Sequence, residues 1–214
     1  MKRIHSGLLK ASFLASTLFF AAPASAGSFG AVIDVGWRSM SNAPDTEWAI
    51  FQKRGVVAGG LGVTYDFGSR WRFGVEGRQI SRDGERAFAA DGNSIAYRLG
   101  HPLSLKMTQA LATASFRFGK LGPISPYLTV GAGLASWKES SDIAGVVEKA
   151  DGSSGLFEAR LGIERQQGPI RIGVEAGITM IPGAVGVGGI SQVYGEKDLG
   201  GFFVVGRLGF GGKK

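Results

Sequence analysis

The chain has 214 residues, of which 36 are glycine and none is cysteine. Without cysteine there is no disulfide scaffold, no zinc–thiolate site and no cysteine nucleophile. Two histidines leave little for metal or acid–base chemistry, while 44% hydrophobic residues and a mean hydropathy of +0.10 are too apolar for a disordered chain. The formal charge of +7 points toward nucleic acid or an anionic surface, but only if the first residues are counted.

Residues 1–26, MKRIHSGLLKASFLASTLFFAAPASA, open with Lys2, Arg3 and Lys10, run apolar and uncharged over 11–22, and close on Ala24-Ser25-Ala26. That order predicts a secretory signal peptide cleaved after Ala26, because the apolar run is shorter than the roughly 20 residues of a spanning helix. Cleavage removes three of the 24 bases and none of the 17 acids, leaving a net charge of +4 and one histidine, His101. So small an excess argues against a nucleic-acid partner.

Beyond residue 26 no apolar run reaches transmembrane-helix length, and frequent glycine opposes helix. Alternation of period 2 takes over instead, in eight stretches. In the first, 28–38, Phe29, Ala31, Ile33, Val35 and Trp37 share one face, against Asp34 and Arg38 on the other. The second, 56–67, has a smaller polar face. In the third, 71–80, Trp71, Phe73 and Val75 oppose Arg72, Glu76 and Arg78. The fourth, 107–118, would send Thr108, Ala110, Ala112, Ala114, Phe116 and Phe118 outward, and the fifth spans 127–137. In the sixth, 156–165, Phe157, Ala159, Leu161 and Ile163 oppose Glu158, Arg160 and Glu164. In the seventh, 170–181, Ile170, Ile172, Val174, Ile178 and Met180 oppose Arg171 and Glu175. The eighth, 199–210, sets Phe202, Val204, Leu208 and Phe210 against Gly201, Val205, Arg207 and Gly209.

The connections alternate long and short: 39–55, 68–70, 81–106, 119–126, 138–155, 166–169 and 182–198. Four long loops at one end and three short turns at the other, with an even strand count, predict a transmembrane β-barrel. Strands of this length suit a tilted crossing. Aromatics gather toward the two ends. Phe29, Tyr65, Phe67, Trp71, Phe73, Phe116, Phe118, Tyr127 and Phe210 fall near the turns, and Trp37, Trp137, Phe157 and Phe202 near the loops. Two such bands are expected of interfacial girdles.

The polar faces bring six acids (Asp34, Asp66, Glu76, Glu158, Glu164 and Glu175) against seven bases, all arginine: Arg38, Arg72, Arg78, Arg117, Arg160, Arg171 and Arg207. Glycines between them make room. An eight-stranded barrel is narrow enough for side chains to fill, so these residues predict a salt-bridged core rather than a channel. The fold class is therefore all-β: a transmembrane eight-stranded antiparallel up-and-down barrel over 27–210, with a short tail at 211–214.

The signal peptide, strands such as PYLTVGAGLAS (126–136) and the last strand GGFFVVGRLGF (200–210) resemble the small eight-stranded outer-membrane barrels of Gram-negative bacteria, the OmpA/OmpX-like and opacity-protein-like group. The resemblance spans nearly all of 27–210. It implies outer-membrane lipids and lipopolysaccharide as surroundings, and Phe210 as the terminal aromatic read by the barrel assembly machinery. This chain departs from the pattern in carrying Gly211, Gly212, Lys213 and Lys214 after that aromatic. No cell-wall-binding domain is expected after the barrel.

Some small barrels of this kind modify lipid A, so the resemblance leaves catalysis open as a reading. His101, in the loop ADGNSIAYRLGHPLSLK (90–106), stands near Ser104 and Asp91, but a triad is defined by geometry, and a His-Pro pair in a loop is usually a turn. The glycine clusters 131–134 and 183–189 lack the lysine and the strand–helix setting of a phosphate loop. The chain is thus read as a non-enzyme without cofactor or metal, acting through its loops on an unidentified surface ligand in adhesion, host contact or envelope integrity. Trp48 and Phe51 of the first loop are the candidate contacts. A small pore and a lipid A-modifying enzyme stay open as alternatives.

Overall fold

The computed structural model describes residues 27–143, 145–182 and 190–211. The expected signal peptide, the glycine cluster 183–189 and residues 212–214 of the tail lie outside them. In chain order the elements are β1 (Ser28–Arg38), α1 (Pro44–Phe51), β2 (Val56–Phe67), β3 (Trp71–Phe88), β4 (Tyr97–Arg117), β5 (Ile124–Ile143), β6 (Val146–Gln167), β7 (Ile170–Met180), α2 (Ile190–Val193) and β8 (Gly201–Gly211). Each strand pairs antiparallel with the next, and β8 returns to pair with β1, closing the ring. Closure leaves no strand edge to be desolvated where the wall meets lipid. Tight turns at the short end rest on Gly68 and Gly168, whose φ values of 62° and 61° favour glycine.

The wall is inside out relative to a soluble barrel. Along β7, Ile170, Ile172, Val174, Ile178 and Met180 are exposed, whereas Arg171, Glu175 and Thr179 are buried. The ten steps from Ile170 to Met180 rise roughly 33 Å along the strand. At a tilt of about 40° that is a belt of about 25 Å, the height of a membrane's apolar layer. A closed wall, apolar outside and charged inside, is the architecture of a transmembrane β-barrel.

Above the belt the alternation keeps its phase, but the chemistry of the two faces reverses. On β4, Ala110, Ala112 and Ala114 face out, but further up it is Leu103, Leu105 and Met107 that turn inward and are buried, while Ser104 and Lys106 face out. There the wall leaves the apolar layer for hydrated headgroups and then water, so the ordinary polar-out pattern returns. This inversion corrects four strand limits. β3 runs on to Phe88, β4 starts at Tyr97, β5 ends at Ile143 and β6 starts at Val146. The segments 81–106 and 138–155, expected as loops, are therefore mostly two hairpins rising above the barrel. β8 extends by one residue to Gly211, whose N–H donates to Pro169 O at 2.9 Å.

The interior is also less uniform than expected. Charged side chains fill the half toward the short turns. Toward the loops the lumen holds an apolar cluster that includes Ile50, Phe51, Leu105, Met107, Leu111, Leu156 and Ile181. Two aromatics assigned to the girdles point inward: Tyr127 is 1% exposed, and Trp137 packs against the apolar cluster. Phe29, Phe67, Trp71, Phe73, Phe118 and Phe210 remain on the outside near the turns, with Trp37, Phe157 and Phe202 toward the loops.

Candidate functional site

The lumen carries its charges in layers. Nearest the turns, Arg72 reaches Asp66 through Nε at 2.9 Å and grips Glu164 with both terminal nitrogens at 2.8 and 2.9 Å. Arg171 adds a 2.6 Å bond to Asp66, and Arg117 pairs with Asp66 and with Glu164. Fork-to-carboxylate geometry of this kind is what only arginine supplies.

The middle layer balances four arginines against four acids. Glu76 receives Arg78 at 2.8 Å, Arg160 at 2.9 Å and Arg207 at 2.7 Å. Glu175 receives Arg160 at 2.9 Å, Arg207 at 3.1 Å and the Tyr127 hydroxyl at 2.7 Å. Glu158 takes both terminal nitrogens of Arg78, at 2.5 and 3.0 Å, with Thr179 at 3.1 Å. Asp34 lies 3.5 Å from Arg38 and 3.6 Å from Arg78. The six acids and seven arginines expected in the lumen all stand on the inner wall among these contacts. Sequence reading missed Tyr127, which shares its inward phase with Thr129 on β5, whereas Thr179 falls on the polar face with Glu175 as the alternation requires.

Glycines open the necessary space. A Cβ at Gly60 would sit 2.6 Å from Arg78 Cγ, and one at Gly209 would sit 2.9 Å from Arg171 Nε. What remains inside the wall is small. A cavity of about 30 Å³ lies among Arg38, Met40, Arg82, Gln109 and Phe203, and one of about 10 Å³ beside Arg72, Glu164 and Arg171. Each has room for about one water molecule. That is a filled interior, not a bore.

Over the mouth lies α1. Pro44 at its start and Asp45 and Glu47 in its first turn suit the positive end of the helix. Its own N-cap, Ala43, offers no side-chain acceptor. Glu196 from the fourth loop does so instead, accepting from the Asp45 N–H at 3.0 Å and the Thr46 N–H at 2.8 Å. Glu47 points down and pairs with Arg82 of β3, while also accepting from the backbone N–H groups of Met40 and Gly55 at 3.1 and 2.9 Å. The Arg82 guanidinium lies 4.0 Å from the Phe51 ring centre. Asn42 donates to Asp198 at 2.9 Å, and Tyr194 donates to Ser94 O at 3.3 Å, so three loops are stitched together.

This cap corrects one expectation. Phe51, read as an exposed contact, is 7% exposed and belongs to the apolar cluster, because α1 turns that face onto the barrel mouth. Trp48, one turn back toward the solvent side of the helix, is 56% exposed. It borders a cleft of about 450 Å³ that also involves Asp45, Asn93, Ile95, Arg98 and Tyr194. Burial, with Asp45 and Glu196 nearby, pushes the Tyr194 phenol up from its ordinary range, so it stays a hydrogen-bond donor.

Ser104 and Asp91, two of the three residues of the conceivable triad, are engaged elsewhere. Ser104 Oγ shares a 2.9 Å hydrogen bond with Ser140 on the outer wall. Asp91 accepts from the Ser94 hydroxyl at 2.7 Å and from the Asn93 N–H at 2.9 Å, which hold its carboxyl below the usual range. Phe210 faces out at the turn end, between Ala31 of β1 and Ile170 of β7. Among the described residues no three metal-ligating side chains cluster.

No protein-family model matches the chain, and no curated protein is similar to it. Several solved structures are similar, these three among them. Neisserial surface protein A is 13% identical with a TM-score of 0.48, over 86% of this chain and 95% of its own. Ail, the attachment invasion locus protein of Yersinia pestis, solved with the heparin analogue sucrose octasulfate, is 16% identical with a TM-score of 0.45, over 87% and 98%. The N-terminal β-barrel domain of Pseudomonas aeruginosa OprF is 13% identical with a TM-score of 0.42, over 86% and 97%.

Proposed function

We propose that this is an exported outer-membrane protein that acts at its loop end, as a surface-interaction barrel rather than a pore or an enzyme. The observation that carries the reading is the double closure of the lumen. Arginine–carboxylate layers fill one half, and α1 with its apolar cluster seals the other. A solute has no path through such a wall, so function falls to what the rigid scaffold displays. The cleft beside Trp48 is the place for it, since exposed aromatics over a concave polar rim dominate binding energy. The ligand class stays with the surface, and no nucleic acid is involved.

Two measurements test the reading. Cell fractionation should find the chain, cleaved after Ala26, in the outer membrane, with a band that shifts on an SDS gel after boiling. In planar bilayers the purified barrel should be electrically silent, whereas Trp48→Ala should lose surface binding with the gel shift unchanged. Steady conductance of the wild type would replace this reading with a small pore.

A further inference from the structure

Every ion pair found among the described residues uses arginine, and three lysines on the outer wall enter none. Lys106 of β4, Lys138 of β5 and Lys149 of β6 all face outward and are exposed. Lys106 stands directly opposite Lys138 in the ladder. Lys138 in turn faces Asp151, and Lys149 faces Ser140. Like charges set opposite each other across strands are destabilising, so this pairing calls for an anion between them. A concavity of about 370 Å³ lies there, bordered by Ser104, Lys106, Lys138, Ser140, Lys149 and Asp151. Asp83, diagonal to Lys106, and Asp151 bound it, leaving the Lys106–Lys138 pair central.

Depth decides what that anion is. The outward apolar series ends at Ala110 on β4, Leu134 on β5 and Phe157 on β6. Lys106 and Lys138 come four residues beyond the first two, about 13 Å along the strand, with Thr108 and Ser136 between; Lys149, eight residues beyond Phe157, stands beside Ser140, two residues above Lys138. That is where lipid headgroups meet the wall. Lysine is suited to it, as a hydrated point charge on a long stem that can lie along apolar wall while its ammonium meets phosphate.

We infer that Lys106, Lys138 and Lys149 form a binding patch for the phosphates of lipid headgroups in the leaflet at the loop end. The inference rests on the membrane reading above.

Native mass spectrometry of the full barrel in detergent, with phosphorylated lipid A, its dephosphorylated form and inorganic phosphate as probes, tests it. Wild type should hold phosphorylated lipid A at least tenfold more tightly than the dephosphorylated form. The triple variant K106Q/K138Q/K149Q should lose that preference, and the triple arginine variant should keep it. Gel shift on boiling confirms that each variant is folded. Equal retention by the folded glutamine variant would overturn the patch, and equimolar inorganic phosphate displacing the lipid would make it a free-anion site instead. A wild-type chain that forms no heat-shifting barrel would overturn the membrane reading, and this inference with it.

Discussion

Glu47 and Arg82 lie thirty-five residues apart, one on a loop helix and one on the barrel wall, and their ion pair holds the helix across the mouth. Both are almost fully buried, at 1% and 6% exposure. Removing one member leaves the other as an uncompensated buried charge, which costs about 3–5 kcal/mol when burial is complete. Arg82→Ala should therefore lower the unfolding free energy, measured by urea denaturation in lipid vesicles, by that order. The double variant E47Q/R82M should recover most of the loss, because neither charge is then stranded.

The same logic ranks the lumen arginines. Arg160 touches Glu76, Glu158 and Glu175, so Arg160→Ala unbalances three carboxylates and should also cost about 3–5 kcal/mol. Its exposed strand-mate Arg165 serves as the control, and Arg165→Ala should shift stability by no more than about 0.5 kcal/mol. Equal midpoints for the two variants would mean the inner pairs contribute nothing.

Space is the second demand of the packed half. Gly60→Val would press a Cβ against Arg78 Cγ and against Asp34 Oδ2, 2.8 Å away. Overpacking of this sort costs about 1–3 kcal/mol. At Gly77, where a Cβ meets nothing within 4 Å, alanine should be neutral in the same unfolding assay.

Trp48 and Phe51 separate binding from folding on one helix. Phe51→Ala opens a cavity in the apolar cluster under the cap and should cost about 3–5 kcal/mol. Trp48→Ala, on the exposed face, should change unfolding by about 0.5 kcal/mol or less while reducing attachment of cells bearing the protein to their target surface. Loss of attachment by Phe51→Ala alone would place the contact elsewhere.

Much of this architecture was legible in the residues. The limits of β1 and β2 follow from the alternation, as do the short turns and the inward direction of Glu76, Arg160 and Glu175. Failures cluster where the surroundings change. Leu103, Leu105 and Met107 keep the alternation but reverse its meaning above the membrane belt, so a rule tuned to lipid stops the strand too early. Tyr127 was assigned outward by chemical type, although its phase, shared with Thr129, placed it inside. The cap was hidden for a different reason. Eight residues give α1 too little periodicity to read, and its decisive partners, Arg82 and Glu196, come from distant parts of the chain.

The pairing of β8 with β1 has a consequence for how the molecule comes into being. Neighbouring strands are hairpins and can zip locally, but this last ladder joins the two ends of the folded chain, and its entropy cost rises with the length enclosed. Gly30 opposite Gly211, Gly36 beside Val205 and Gly206 beside Val35 give that seam few side chains to interlock. The buried Asp34 and half-buried Arg207, opposed across it, can find their full set of partners only once the circle is complete. Ring closure therefore carries the largest loop-entropy cost of the eight ladders. Conditions that hold the two termini together should accelerate it more than any strengthening of an interior hairpin.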